Sequence, residues 1–165
     1  MPHRAHRFRN LIRTVAVLLA AVAPHPLAAD DFARGTAAYE RGDYHTARGY
    51  WSVLGVQGDA RAQYAVGTLY EGGRGVPRDA AEAIKWYGQA AAQDHPQAQH
   101  RLGLLLDGGT GGQRDPERAY VWLALAVHNG VPQAVGPRDK LAAELTAEQR
   151  ERADATVQAW LDRKK

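Results

Sequence analysis

The sequence predicts an all-α protein built from repeated helix-turn-helix units. Three observations carry that expectation. A shift of 36 residues superposes Ala62 on Ala98, Gln63 on Gln99, Gly67 on Gly103, Trp86 on Trp122 and Pro96-Gln97-Ala98 on Pro132-Gln133-Ala134 without a gap, and self-similarity at one period marks a repeat array. Within each unit, apolar residues recur at three- and four-residue spacing, the pattern of an amphipathic helix. Glycine clusters and capping residues separate the stripes, as helix ends require.

The unit beginning near residue 59 shows the logic. Ala62, Val66, Leu69 and Tyr70 form one apolar stripe, a first helix A, with Gly67 inside it where a neighbouring helix can approach closely. Gly72-Gly73-x-Gly75 ends this helix, because glycine reaches the left-handed conformation of a helix C-terminus. Asp79-Ala-Ala-Glu82 has the form of a capping box and starts helix B, whose stripe is Ala83, Trp86, Tyr87 and Ala90. The next unit repeats the stripe as Ala119, Trp122, Leu123 and Ala126 after Asp115-Pro116-Glu117, a cap followed by a first-turn proline. Trp51, Trp86 and Trp122 fall in the same B-helix neighbourhood, which favours core packing over an aromatic box for a cation.

Two further units flank these. Upstream, Gly35, Tyr39, Asp43, Ala47, Tyr50, Trp51 and Leu54 keep the order of the later copies with a shorter loop between the helices. Downstream, Pro132-Gln133-Ala134 opens a degenerate unit that Gly136-Pro137 interrupts, with Asp139 where helix A has its glycine. Leu141 and Leu145 supply apolar contacts, and Thr146-Ala-Glu-Gln149 is a capping box for a last helix through Val157, Trp160 and Leu161. An atypical terminal unit is the expected end of an array. The resulting division is a first repeat at 30–58, full repeats at 59–94 and 95–130, and a cap at 131–165.

Residues 1–29 are of another kind. Arg4, Arg7, Arg9 and Arg13 precede the uncharged run from Thr14 to Ala23, which is followed by Pro24, Pro26 and Ala28-Ala29. This is the order of a secretory signal peptide, cleaved near Ala29–Asp30, and it predicts a periplasmic or secreted protein. As a helix the apolar run reaches only ~15 Å, about half a bilayer core, so a stable membrane span after processing is not expected. An uncleaved anchor is the alternative. The segment also holds the positive charge: the chain has a formal net charge of +3, yet beyond residue 29 there are 17 Lys and Arg against 18 Asp and Glu. A nucleic-acid partner is therefore not expected. The absence of cysteine excludes a disulfide scaffold, a zinc ribbon and a thiol nucleophile.

The pattern Ala-x4-Gly-x-x-Tyr-x-Gly-Gly-x-Gly-Val-x-x-Asp-x3-Ala-x-x-Trp-Tyr-x-x-Ala-Ala at residues 62–91 resembles the Sel-1-like repeat, a relative of the tetratricopeptide repeat. The unit at 35–54 resembles the tetratricopeptide form itself. The resemblance implies a right-handed α-α superhelix, a solenoid of about three helix-turn-helix repeats plus a C-terminal capping helix pair, with a concave face lined mainly by the A helices. It also implies an adaptor, in bacteria often exported, that binds a protein or peptide of the cell envelope. The β-lactam chemistry linked to cysteine-rich relatives is not implied for a chain without cysteine.

No constellation for catalysis stands out. The glycine loops lack the Lys-Ser/Thr of a phosphate cradle, Ser52 is the sole serine and lies in no nucleophile elbow, and His45, His95, His100 and His128 do not take helical metal-ligand spacing. Neither a catalytic residue, a metal nor a cofactor is expected. The candidate partner-binding residues are the A-helix positions that alternate with the packed stripe: Phe32, Thr36 and Tyr39 in the first unit, Arg61, Tyr64, Thr68 and Glu71 in the second, and Gln97, His100, Arg101, Leu104 and Asp107 in the third. The competing readings are a cell-wall-fragment or small-ligand binding protein or hydrolase using the same groove, and an oligomerisation unit stacked through its exposed ends.

Overall fold

A computed structural model describes residues 27–163, and every regular element among them is helical. Helices α1 (Leu27–Glu40) and α2 (Tyr44–Val56) form the first hairpin, α3 (Ala60–Gly72) and α4 (Ala80–Ala92) the second, and α5 (Pro96–Gly108) and α6 (Pro116–His128) the third. A 3-10 turn at Pro132–Ala134 leads into α7 (Val135–Glu144), and α8 (Ala147–Asp162) ends the array. Each of α1 to α6 packs on its hairpin partner, and the second helix of each hairpin also packs on the first helix of the next unit, which is the connectivity of an α-α solenoid. Of the expected signal segment, residues 1–26 lie outside the described residues, and no described helix is long and apolar enough to cross a membrane.

Local chemistry sets the helix ends. Asp43, Asp59, Asp79 and Asp115 each accept a backbone N–H of the first turn that follows, at 2.8–3.2 Å, which satisfies donors that have no intrahelical partner. Thr146 and Gln149 form the reciprocal capping box. At Asp79 only half of the expected box forms: the Asp79 carboxylate takes the Glu82 N–H, but the Glu82 side chain turns to Lys85 instead. Gly73 and Gly109 end α3 and α5 in the left-handed region, at φ 65° and 63°.

Within each hairpin a glycine lets the two helices meet. A Cβ built on Gly35 would lie 2.4 Å from the Trp51 ring, on Gly67 2.6 Å from Tyr87 and on Gly103 2.6 Å from Leu123. Trp51, Tyr87 and Leu123 thus share one position, facing the glycine, and all three are buried. Trp86 and Trp122 occupy the position of Tyr50 and are half-buried. The tryptophans therefore divide between two B-helix positions, and only Trp51 is an interior side chain.

Between hairpins, two buried glutamines make the joint. Gln63 donates its amide to the carbonyl of Gly55 near the end of the preceding B helix, at 2.9 Å, and accepts from Gln93 at the end of its own, at 2.7 Å. Gln99 repeats this with the Ala91 carbonyl at 3.2 Å and Asn129 at 2.8 Å. The loops complete the joint. Gly75, at φ 69°, lies on the backbone of Tyr44-His45, and Gly111, at φ 90°, lies on that of Ala80-Ala81, so each loop seals the first turn of the preceding B helix.

The C-terminal unit is interrupted as its sequence suggests: where α5 runs unbroken from Pro96, the corresponding stretch is a 3-10 turn at Pro132–Ala134, and α7 begins only at Val135, with Pro137 in its first turn, where its missing N–H costs no hydrogen bond. It departs from the expected capping pair in one way: α7 and α8 pack separately on α6 rather than chiefly on each other, with the Tyr120 hydroxyl bonded to Asp154 at 2.6 Å and Glu117 to Arg152 at 2.9 and 3.1 Å.

The glycine contacts generate a paired prediction. Gly67→Ala places a methyl into the buried Tyr87 ring and is expected to destabilise the fold by about 1–3 kcal/mol. Gly88→Ala, at a mid-helix position with nothing within 4 Å of the added Cβ, is expected to stabilise it by about 0.5–1 kcal/mol. Urea denaturation of the two variants beside the parent checks both signs.

Candidate functional site

Eleven of the twelve candidate residues sort into rows once the helices are superposed on Gly35, Gly67 and Gly103, and Arg101 stands alone at the position of Ala65. Phe32, Tyr64 and His100 form one row, Thr36, Thr68 and Leu104 a second, and Tyr39, Glu71 and Asp107 a third. Arg61 and Gln97 share a position one turn earlier. The first row carries a ring in every unit, and all three rings are half-buried.

The rows differ in what their side chains are committed to. Thr36 and Thr68 donate their hydroxyls to carbonyls of their own helices, at 3.0 and 2.7 Å, and Leu104 packs against the core. These three do little to distinguish a ligand. Tyr39 stands against Tyr44 and Trp51, with ring centroids 5.2 and 5.5 Å away, and its hydroxyl meets the Arg74 guanidinium. Glu71 is central: its carboxylate accepts from the buried Tyr87 hydroxyl at 2.7 Å and from Arg101 at 2.7 and 3.1 Å. Burial and the Glu71 charge push the Tyr87 hydroxyl far above its ordinary pKa, so it remains a donor. In the next unit Asp107 holds the position of Glu71 and pairs with Arg114 at 2.5 Å, which also reaches Glu144. The acidic row is thus a line of struts between units.

The ring row is more open. Arg61 pairs with Asp59 at 2.7 Å and lies 4.7 Å over the Phe32 ring, bridging α1 and α3. Tyr64 stacks on His95 at 4.8 Å, and His95 caps α5 through Nδ1, which accepts the Ala98 N–H at 3.3 Å. Gln97 is exposed, His100 half-buried, and the Arg101 side chain remains 42% exposed beside its pair with Glu71. The face therefore joins rings to an amide and two arginines with accessible surface, a composition suited to peptide contact. Among the described residues, no group of three or more metal-ligating side chains gathers.

Sequence reasoning passed over His95 and Arg114 as structural residues. His95 stands where the other main helices have aspartate caps, and Arg114 begins the repeated Arg-Asp pair, but their partners lie up to 31 residues away, beyond any local pattern.

A family model for the Sel1 repeat matches residues 60–95 and 96–131. The chain carries two Sel1 repeats. A protective antigen of uropathogenic Escherichia coli strains displaying an SLR fold is 25% identical, with a TM-score of 0.76 over 82% of this chain and 30% of the antigen. A Sel1 repeat protein from Oxalobacter formigenes is 30% identical, with a TM-score of 0.63 over 67% of this chain and 47% of its own length. The Helicobacter pylori cysteine rich protein B, 18% identical with a TM-score of 0.54 over 66% of this chain and 92% of that one, shares the fold. The chain spans less than half the length of the first two. Among curated proteins none matches it. Sel1-repeat proteins are generally protein-interaction modules and typically non-catalytic scaffolds.

Two predictions test the electrostatics of this face. Glu71→Ala removes the acceptor of a buried hydroxyl and is expected to cost about 1–3 kcal/mol, whereas Arg101→Ala costs less because Glu71 keeps Tyr87; thermal melts of both variants rank them. Burial lowers the pKa of His95 below its ordinary value of 6.5, so the unfolded chain takes up this proton more readily. Its contribution to stability is complete above pH 6.5 and declines as pH falls through that value. The His95→Asp variant is expected to lose less stability than the parent between pH 7 and 5, measured by denaturation at each pH.

Proposed function

We propose that the protein is an exported adaptor that binds an envelope protein or peptide across its A helices and has no catalysis of its own. The observation that carries this reading is the row Phe32, Tyr64 and His100: three half-buried rings on successive units, flanked by Arg61, Gln97 and Arg101. Rings held in place by packing bury apolar area with little loss of side-chain freedom, and arginine adds directional donors, so such a surface suits an extended peptide or a helix. The ion pairs within the acidic row leave recognition to the rings, to Gln97 and to the exposed part of the arginines.

Export is read from the basic and apolar order of residues 1–29, and on that reading the partner lies in the periplasm or outside the cell. The structural neighbour with an SLR fold is a protective antigen of uropathogenic Escherichia coli strains, and an antigen that protects is one the host meets, which supports the export reading.

The test is a photo-crosslinking amino acid placed at Gln97, with a second variant carrying it at Lys85 on helix B, each expressed as the full chain in its own cells. A discrete covalent adduct from position 97 and none from 85 is the expected result. Adducts only from 85, or none from either, sink the A-helix reading.

A further inference from the structure

The inter-unit joint is incomplete at the third hairpin, and the gap has the shape of a second site. In the first two hairpins the opening turn of helix B is covered by the next unit's loop, Gly75 on Tyr44-His45 and Gly111 on Ala80-Ala81. The equivalent turn of α6, at Pro116-Glu117, has no such loop above it, because only Leu145 and Thr146 connect α7 to α8. Two cavities open there instead. One, of about 380 Å³, lies between α6 and α8, with Val121 and Trp122 on one side and Ala153 and Trp160 on the other. The second, of about 450 Å³, extends past Gln113 and Gln149, and the two share Asp115, Glu117 and Arg118.

We propose that this trench docks a turn-forming peptide segment of a partner protein, anchored by one large apolar side chain beside Trp122 and Trp160. The occupant follows from the fold's own solution: a glycine-bearing turn, bent at Gly75 and Gly111 with φ 69° and 90°, covers the same helix turn in the two preceding units, so the trench continues an interface the protein already builds mainly with main chain. The anchor follows from the walls. Trp122 and Trp160 meet edge to face at 5.3 Å, and Trp160 is fixed by its indole N–H on Asp94 at 2.8 Å and by Arg163 over its ring at 4.2 Å. Pre-ordered rings of this kind favour an apolar side chain. The rim carboxylates do not call for a cation: both oxygens of Glu117 accept from Arg152, and Asp115 caps α6. The polar second cavity suits the backbone on either side of the anchor. The site is separate from the A-helix face, and either can fail without the other.

The experiment selects binders to the full chain from a displayed library of random linear peptides. The enriched peptides are then measured against the parent and two variants, Thr156→Trp, which fills the trench from its exposed rim, and Gln97→Trp, which obstructs the A-helix face. The expected result is enrichment of a large aromatic or aliphatic residue, binding at least tenfold weaker to Thr156→Trp, and no change with Gln97→Trp. In the parent, the same peptides shift the indole N–H resonances of Trp122 and Trp160 and leave that of Trp51, so the site is read even if Thr156→Trp fails to fold. No enrichment, peptides sensitive only to Gln97→Trp, or shifts confined to Trp51 and Trp86 overturn the proposal. Shifts of Trp122 and Trp160 with protein concentration alone also overturn it, since a second copy is then the occupant.

Discussion

Each hairpin depends on the contact of a glycine in helix A with a large side chain in helix B. At Gly35, Gly67 and Gly103 the space that a Cβ needs is already filled by Trp51, Tyr87 and Leu123. The helices therefore approach to a distance that the ring or branched side chain alone sets, and the small residues Ala47, Ala83 and Ala119 close in beside it with no exposed surface. Interior packing at this density tolerates little added volume. The same crossing recurs in all three hairpins, and one A-helix position carries a ring in each of them: Phe32, Tyr64 and His100.

The hairpins are then joined by polar contacts as well as apolar ones. Gln63 and Gln99 are buried amides with both donor and acceptor satisfied, tying the end of one B helix to the start of the following unit. A buried amide left unpaired is costly, so such a joint fixes the relation between units more sharply than an apolar contact that can slide. Glu71 with Arg101, and Asp107 with Arg114, repeat the principle on the A-helix face. The charges that a reader of the sequence assigns to a partner are largely occupied in holding the surface still, with Glu71 and Asp107 both paired within the chain.

Much of this was legible in the sequence. The period, the helix ends at Gly73 and Gly109, the aspartate caps and the Thr146 capping box follow from residue types with strong local preferences. The role of Gln63 and Gln99 did not, although both were visible as repeated residues: their acceptors, Gly55 and Ala91, lie in the preceding helix, and apolar periodicity says nothing about where a buried amide finds a partner. The same reason hides the Glu71 network, whose donors lie 16 and 30 residues away. The arrangement of α7 and α8 was obscured differently. Their sequences depart from the repeat, so the period that placed the other helices gave no guidance.

The loop glycines bear on how such an array changes over time. Gly75 rests on Tyr44-His45 and Gly111 on Ala80-Ala81, two quite different dipeptides, because the contact is made mainly with main chain rather than with any particular side chain. Adjacent units thus recognise one another in a way that is largely blind to sequence at that seam. A copy can be inserted, deleted or diversified there without redesigning its neighbours, and the length of the array becomes a property that duplication can adjust while the chemistry of the outward face drifts independently.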